Sequence, residues 1–224
     1  MIFDAYGFLF WVVGTALRCL LIMFCWRGGI HRLLPRFQLL LGWEVASNLG
    51  AYPAILIFGY DSNGYTLYYF LTGAVRGVLQ VMALLEVATL ARVRVASWVW
   101  AGSLALGSLV LVALRDAPGF WAGSQLFQTG FLHLGLWLLL GIVIEALRQS
   151  HLRLGWNIAG VLLLILTDIA ARYTFFLGQV FVPIDYSTLR WFFQPVSVLS
   201  LTLALACMRR LEVPVFLNPQ KETA

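Results

Sequence analysis

Ionisable and amide side chains lie near the middle of long apolar segments, where an isolated charge is poorly tolerated. Arg76 and Asp168 have apolar sequence on both sides, and Gln80 and Arg172 follow them by four residues. Residues four apart share one helix face, so each pair presents two polar groups together. A buried charge needs a partner, and we therefore predict a salt bridge between Arg76 and Asp168. Such a pair either stabilises packing or forms the centre of a site for a polar or anionic solute.

A second set of charges lies closer to the ends of the apolar segments. Arg18 lies about 12 Å before the end of the first segment and Glu44 about 12 Å after the start of the second, at about 1.5 Å per helical residue. Antiparallel neighbours bring the two residues to one level, so we predict that Arg18 and Glu44 form a structural ion pair. Glu86 is expected either to join this pair or to extend towards Arg92.

Two further polar residues lie within apolar segments. His133 shares a helical stripe with Gln125 and Thr129, and Gln194 precedes Pro195, which frees a backbone carbonyl. A buried histidine is either hydrogen-bonded in the core or a cofactor ligand, so His133 is the candidate cofactor ligand. A haem between helices usually takes a second axial residue, and His133 is the only histidine inside a predicted span. We predict no cofactor, no metal site and no catalytic residue.

The elements that carry these residues are apolar runs long enough to cross a bilayer. The 224 residues are 61% hydrophobic and 11% charged, against about 25% charged in soluble domains. A helix of about 20 apolar residues spans the hydrocarbon core. The composition therefore predicts an all-α fold, a bundle of seven transmembrane helices. The predicted spans are 5–26, 37–58, 66–91, 96–114, 120–147, 154–177 and 188–208.

The distribution of arginine predicts the orientation of the bundle. Alternate connections are basic, at 27–36, 92–94, 148–153 and 209–210, whereas the other set carries only Arg115 away from helix ends. Short basic loops stay in the cytoplasm. We therefore predict a bacterial inner-membrane protein with a periplasmic N-terminus, a transmembrane domain over 1–210 and a cytoplasmic tail over 211–224. The same loops account for the net charge of +5 without a nucleic-acid partner.

The sequence lacks the common catalytic signatures. It contains no HExxH, GxSxG, P-loop or CxxC motif, and its one lysine, Lys221, lies in the tail, outside any span that could hold a retinal Schiff base. The usual apparatus of hydrolysis, phosphoryl transfer and metal catalysis is therefore not visible. This pattern favours a protein that is not an enzyme.

Particular stretches resemble known membrane proteins. Tyr65–Phe70 running to Glu86, the entry Arg153–Asn157 and the layout of spans resemble a group of small seven-helix proteins of Acidobacteria. That resemblance implies an inner-membrane bundle and supplies no activity or binding residue. The layout is also similar to PQ-loop sugar transporters, but the Pro-Gln pair expected in the first helix of each repeat is missing, and the predicted spans contain only the reversed Gln194-Pro195.

Three functional hypotheses follow from these patterns. The first is a non-enzymatic subunit or signal-transmitting bundle, whose partners are the lipid bilayer and either another protein or copies of itself. The second is a transporter or channel for a small polar or anionic solute, with a cavity lined by Arg76, Asp168, Arg172, His133 and Gln194. The third is a cofactor-binding or quinone-binding subunit of a redox complex that uses His133. A polar cavity at mid-depth favours the second hypothesis, whereas a dry centre excludes it.

Overall fold

The protein is helical throughout the part that the structure describes. A computed structural model describes residues 5–59, 62–90, 102, 119–148, 156–181 and 186–209. Each secondary-structure element within these ranges is an α-helix, so the predicted all-α class is confirmed for them. The helices are α1 (Ala5–Arg27), α2 (Ile30–Leu33), α3 (Pro35–Phe58), α4 (Asn63–Leu90), α5 (Gly119–Arg148), α6 (Trp156–Phe181) and α7 (Tyr186–Arg209).

The long helices coincide with six predicted spans. α1 matches its span within one residue at the C-terminal end, while α4 begins three residues earlier and α6 ends four residues later than predicted. Polar side chains at these ends are compatible with helix geometry, so hydropathy alone underestimates helix length. The predicted fourth span, apart from Gly102, and the predicted tail lie outside the described residues.

A short break connects α1 to α3 at the basic end of the bundle. Gly29 adopts φ 70°, a left-handed conformation that glycine accepts without steric cost. The four-residue α2 follows, and α3 then begins with Pro35. Proline suits the first turn of a helix because its missing N–H would have no partner there. The chain therefore reverses tightly and places the start of α3 beside the end of α1.

The long helices form a closed ring. α1 contacts α3, and the ring continues through α4, α5, α6 and α7, which packs back on α1. α4 also touches α6 across the ring. Leu21, Leu84, Leu138, Ile165 and Ala204 are buried side chains that fill the spaces between these neighbours. A polar side chain that faces the inside of this ring is therefore surrounded by several helices.

Side-chain hydrogen bonds set the register between α3 and α4. The Tyr68 hydroxyl donates to the Ser47 carbonyl at 2.6 Å, and the Trp43 indole donates to the Thr72 carbonyl at 3.0 Å. A Cβ atom at Gly50 would lie 2.6 Å from the Tyr68 hydroxyl, so glycine leaves the room for this approach. These bonds lie on both sides of the level of Glu44 and hold the two helices together there.

Large apolar side chains cover the outer surface of the described helices. Ile57 is 73% exposed, Leu147 is 76% exposed and Leu199 is 59% exposed, whereas the charged Glu44 is only 7% exposed. By length and composition, two described helices could cross a membrane, over Tyr6–Arg27 and Asn63–Leu90. α6 and α7 contain shorter apolar stretches, Ile158–Ala171 and Gln194–Met208. The seven-span topology remains a prediction.

Candidate solute-binding cavity

The predicted ion pair between α1 and α3 is confirmed. Arg18 Nε donates to Glu44 Oε2 at 2.5 Å, and the two side chains are 14% and 10% exposed. Arg18 Nη1 also donates to the Gly14 carbonyl, one turn earlier on its own helix, at 3.2 Å. Each charge in a buried pair of this kind offsets the desolvation cost of the other, so loss of either side chain leaves an uncompensated charge in the interior.

Glu44 is shared with a second arginine. Arg76 Nε on α4 lies 3.8 Å from Glu44 Oε1, and the Arg76 side chain is 15% exposed. This separation is an ion pair and too long for a hydrogen bond, and Arg76 Nε has no hydrogen-bond partner within the described ranges. The predicted partner of Arg76 was Asp168, and the structure corrects it to Glu44. α3 packs along α4 more extensively than α6 does, so the carboxylate on α3 is the one within reach.

Asp168 meets a different residue of α4. Gln80 Nε2 donates to Asp168 Oδ2 at 2.5 Å, and Gln80 is only 3% exposed. Gln80 lies one turn after Arg76 on the same face, so α4 presents both polar groups to the interior, as predicted. Asp168 is close enough to interact electrostatically with Arg76, Glu44 and Arg18. The charges predicted for the centre of the bundle therefore form one cluster with different pairings.

Glu86 does not join that cluster. Its carboxylate accepts the backbone N–H groups of Arg36 at 3.0 Å and Phe37 at 3.2 Å, in the first turn of α3. The residue before that turn, Leu34, offers no side-chain cap, so a carboxylate from α4 takes its place. The first of the two predicted alternatives for Glu86, that it joins the Arg18–Glu44 pair, is therefore corrected to a helix cap. The alternative partner, Arg92, lies outside the described residues.

A cavity of about 190 Å³ lies between α1, α3, α4, α6 and α7, with charged and amide groups set in a mainly apolar lining. Its charged and amide lining consists of Arg18, Glu44, Gln80, Asp168 and Gln194. Apolar side chains such as Phe37 and Leu201 complete the wall towards the basic end of the bundle. The bundle thus contains a cavity with charged groups in its wall. The condition that the solute hypothesis set, a water-filled pocket that reaches one side, stays a prediction.

Gln194 and two serines provide the α7 side of the cavity. Gln194 Oε1 is buried and accepts no hydrogen bond from the described residues. The Ser200 hydroxyl donates to the Ser197 carbonyl at 2.9 Å, and Ser200 is 7% exposed. Pro195 lies inside α7 beside Gln194, where its ring interrupts the helical hydrogen bonds. An unsatisfied amide oxygen at a helix irregularity is a ready acceptor for a bound donor.

Two other predicted site residues, His133 and Arg172, are not part of the described cavity lining. His133 on α5 is buried at 1% exposure and is absent from the cavity lining. Arg172 belongs to α6, but its side chain lies outside the described residues. Within the described ranges, no three His, Cys, Asp or Glu side chains come close enough to hold a metal ion. The role of His133 as a cofactor ligand stays a prediction.

The cavity combines positive and negative groups with one amide oxygen, Gln194 Oε1, that accepts no hydrogen bond from the described residues. Guanidinium groups bind carboxylates, and carboxylates and amide oxygens accept from ammonium or hydroxyl groups. Comparisons of this chain with protein-family models, with curated proteins and with solved structures found no match. The chemistry of the cavity is the feature that points to a function.

Proposed function

We propose that this chain is a multi-pass protein of the bacterial inner membrane that transports a small polar solute through its helix bundle. The observation that carries the proposal is the cavity between α1, α3, α4, α6 and α7, with its lining of Arg18, Glu44, Gln80, Asp168 and Gln194. Groups of this polarity are costly inside an apolar bundle, so they indicate a polar occupant or water.

The distribution of polarity supports a membrane location. Exposed side chains on α3, α5 and α7 are large and apolar, as Ile57, Leu147 and Leu199 illustrate, whereas Glu44 and Gln80 are buried. Soluble domains bury apolar side chains and seldom bury charges. Lipid as the surrounding solvent explains an apolar exterior around charged interior groups. Positive-inside orientation then places the C-terminal end of α1 and the start of α3 on the cytoplasmic side.

The size of the cavity supports a small solute. A volume of about 190 Å³ corresponds to about six water molecules at about 30 Å³ each. Pockets for drug-sized ligands are larger, at about 300 Å³ or more. The occupant is therefore smaller than a drug-sized ligand.

The arrangement of the charged side chains supports a conformational change during transport. Glu44 is shared between Arg18 and Arg76, and the second contact, at 3.8 Å, lacks a hydrogen bond. Asp168 lies within electrostatic reach of the same Arg76. An arginine between two carboxylates has two available pairings, and exchange between them is the kind of two-state element that alternating access requires. Pro53 and Pro195 interrupt α3 and α7 and give those helices places to bend.

Uptake into proteoliposomes tests the proposal. Four labelled solutes of about six non-hydrogen atoms cover the charge types: alanine, lactate, 3-amino-1,2-propanediol and glycerol. We expect at least one of them to enter faster than in protein-free vesicles. Ser200→Leu should abolish that uptake because it fills the cavity. Equal uptake by vesicles with and without protein, for each of the four, would overturn the proposal.

A matched control lies on the same helix. Thr202 faces outward, and its hydroxyl donates to the carbonyl one turn earlier, Val198, at 2.8 Å, as the Ser200 hydroxyl does to its own helix. Thr202→Leu makes a comparable chemical change outside the cavity and should leave uptake unchanged. If both variants lose uptake equally, the effect comes from α7 as a whole and the cavity is not the route.

The cavity moves the solute hypothesis ahead of partner binding, which the sequence analysis placed first. Copurification after crosslinking tests the partner hypothesis, and a visible absorption spectrum tests a haem at His133. Both hypotheses stay predictions.

A further inference from the structure

We propose that the reversal between α1 and α3, over residues 27–36, binds the headgroup of an anionic phospholipid in the cytoplasmic leaflet. This inference rests on the membrane location in the proposed function and does not involve the cavity or its solute. It follows from exposed arginines without a carboxylate partner among the described residues, from an exposed tryptophan beside them and from the apolar surface that continues along both helices.

Three arginines lie on the reversal, and each of them is exposed. Arg27 ends α1, Arg32 belongs to α2 and Arg36 is the second residue of α3. α2 contacts both long helices, so the three positive charges come from one short folded segment. A guanidinium group binds phosphate oxygens through charge-assisted hydrogen bonds, which are often paired. This end of the two helices is therefore suited to a phosphate group.

Acidic side chains of the described residues leave most of this positive charge uncompensated. Within the described ranges, no carboxylate lies within ion-pair distance of Arg27, Arg32 or Arg36. Glu86 interacts electrostatically with Arg36, and its carboxylate is bound by backbone N–H groups at the start of α3. Arg27 and Arg32 are therefore the two positive charges that remain for a ligand.

The stretches on the predicted cytoplasmic side that lie outside the described residues bring no excess of acidic side chains. The stretches 91–101 and 149–155 contain no aspartate or glutamate. The stretch 210–224 contains two glutamates together with one arginine and one lysine. The side chains of this end of the bundle therefore carry a net positive charge, which is complementary to an anionic headgroup.

Trp26 adjoins the arginines and is 62% exposed. Its indole stacks on the imidazole of His31, with ring centroids 4.9 Å apart and an angle of 13° between the ring planes. His31 Nδ1 also lies 3.4 Å from the Cys25 carbonyl oxygen. These contacts hold α2 against the end of α1. Tryptophan favours the level of the lipid headgroups, because its ring is apolar and its N–H is polar, so Trp26 indicates that the reversal lies at that level.

Apolar side chains are exposed on both helices next to the reversal. They include Leu20 and Met23 on α1 and Leu39 on α3. Leu20, Met23 and Trp26 are three residues apart and lie along one side of α1. A phospholipid needs cationic groups for its phosphate and an apolar surface for its acyl chains, and this end of the bundle offers both. A soluble phosphate ester would leave the apolar surface unused, so a lipid is favoured.

Arg148 provides a matched control on the same predicted side of the membrane. It ends α5 and is exposed, but its Nη1 lies 3.8 Å from Glu145 Oε2. The charge of Arg148 therefore has a carboxylate partner, whereas that of Arg32 has none among the described residues. We expect Arg148 to contribute less than Arg32 to binding of an anionic lipid.

Native mass spectrometry of the detergent-purified protein, titrated with dioleoyl phosphatidylglycerol or dioleoyl phosphatidylcholine, tests this inference. The two lipids have the same acyl chains and differ in the net charge of the headgroup. We expect phosphatidylglycerol to bind at least about tenfold more tightly. Arg32→Gln should weaken its binding about fivefold, and Arg27→Gln combined with Arg32→Gln about thirtyfold, at about 1 kcal/mol for each arginine near anionic lipid. Arg148→Gln should change it by less than about twofold.

Three results would overturn the inference. The first is equal affinity for the two lipids. The second is an equal effect of Arg32→Gln and Arg148→Gln, a comparison that needs only single variants and therefore stands if the double variant does not fold. The third concerns glycerol 1-phosphate, which carries the phosphate without acyl chains and should not bind at the same concentrations. Binding as tight as that of phosphatidylglycerol would assign the reversal to a soluble phosphate ester.

This test and the uptake test fail independently. Loss of the lipid preference with uptake intact would overturn only the lipid site. Absence of uptake with the lipid preference intact would overturn only the transport proposal. Extraction of the protein from membranes by alkaline carbonate without detergent would overturn both, because both require a bundle embedded in lipid.

Discussion

Glu44 and Glu86 lie on neighbouring helices, and different groups compensate the negative charges of their carboxylates. Glu44 on α3 meets the side chains of Arg18 and Arg76, which come from two other helices. Glu86 on α4 accepts backbone N–H groups at the start of α3. One region is thus a cluster of side-chain charges in the interior, and the other is a helix cap at the basic end. The cluster couples three helices through one carboxylate, whereas the cap joins two.

The two regions differ in whether their charged groups can exchange partners. Ion pairs among flexible side chains can exchange partners, so the interior cluster is suited to a changing occupant. A carboxylate on backbone amides complements the positive end of the helix dipole and has no alternative donor of equal quality. We therefore expect the cap to hold α3 in place while the cluster above it responds to solute.

The largest predicted effect belongs to the interior cluster. Glu44→Leu leaves Arg18 and Arg76 buried without their carboxylate, and the free energy of unfolding should fall by about 3 to 5 kcal/mol. Unfolding by denaturant in detergent, followed by circular dichroism, measures this loss. Combining Glu44→Leu with Arg18→Leu should cost less than the sum of the single variants, because the two residues compensate each other. Additive losses would show that the pair does not interact.

A smaller loss is expected at the cap. Glu86→Ala removes the acceptor of two backbone N–H groups and should lower the free energy of unfolding by about 2 kcal/mol, as for other hydrogen bonds to charged groups. Glu86→Gln keeps an acceptor oxygen and should lose less than half as much. If both variants are as stable as the wild type, α3 does not depend on this cap.

The next largest effect is the coupling energy between Arg76 and Glu44. A double-mutant cycle with Arg76→Leu and Glu44→Leu should yield a coupling energy of about 1 kcal/mol, at the low end for contacting residues because the 3.8 Å contact lacks a hydrogen bond. The corresponding cycle with Asp168→Leu should yield a smaller coupling in the solute-free protein. A larger coupling to Asp168 would restore the pairing that the sequence predicted.

The smallest effect is expected on the surface. Arg148 Nη1 lies 3.8 Å from Glu145 Oε2, and the two side chains are 78% and 23% exposed. Exposed charges contribute little because water and salt screen them, so Arg148→Ala should change the free energy of unfolding by less than about 0.5 kcal/mol. This variant also serves as the control for removal of one member of an ion pair. A loss comparable to that of Glu44→Leu would mean that burial does not distinguish the two sites.

The sequence predicted some of these contacts because depth along a helix can be counted from its ends. Arg18 and Glu44 lie at equal depth on consecutive antiparallel helices, and this pair was predicted and found. Depth does not report which way a helix is turned. Arg76 was therefore assigned to Asp168 at its own level, although Glu44 on the adjacent helix lies within reach.

The helix cap formed by Glu86 was missed for a different reason. Its partners are backbone N–H groups, which every residue except proline carries and which no residue type reveals. One signal was available, because Leu34 before Pro35 marks a helix start that lacks a side-chain cap. A cavity was predicted only under the solute hypothesis, and two of its predicted lining residues, Asp168 and Gln194, do line it. The rest of the lining could not be predicted, since it depends on how five helices meet.

Thiol accessibility of two α7 positions in proteoliposomes tests the central claim, a polar cavity inside the bundle, most directly. Ser200→Cys and Thr202→Cys are introduced after Cys19, Cys25 and Cys207 are replaced by alanine. A small hydrophilic thiol reagent should modify Ser200→Cys, because Ser200 lines the cavity. It should react far more slowly with Thr202→Cys, because Thr202 lies on the outer surface, which the proposed function places in lipid. Faster modification of Thr202→Cys, with Ser200→Cys unreactive, would contradict a water-accessible cavity at this site.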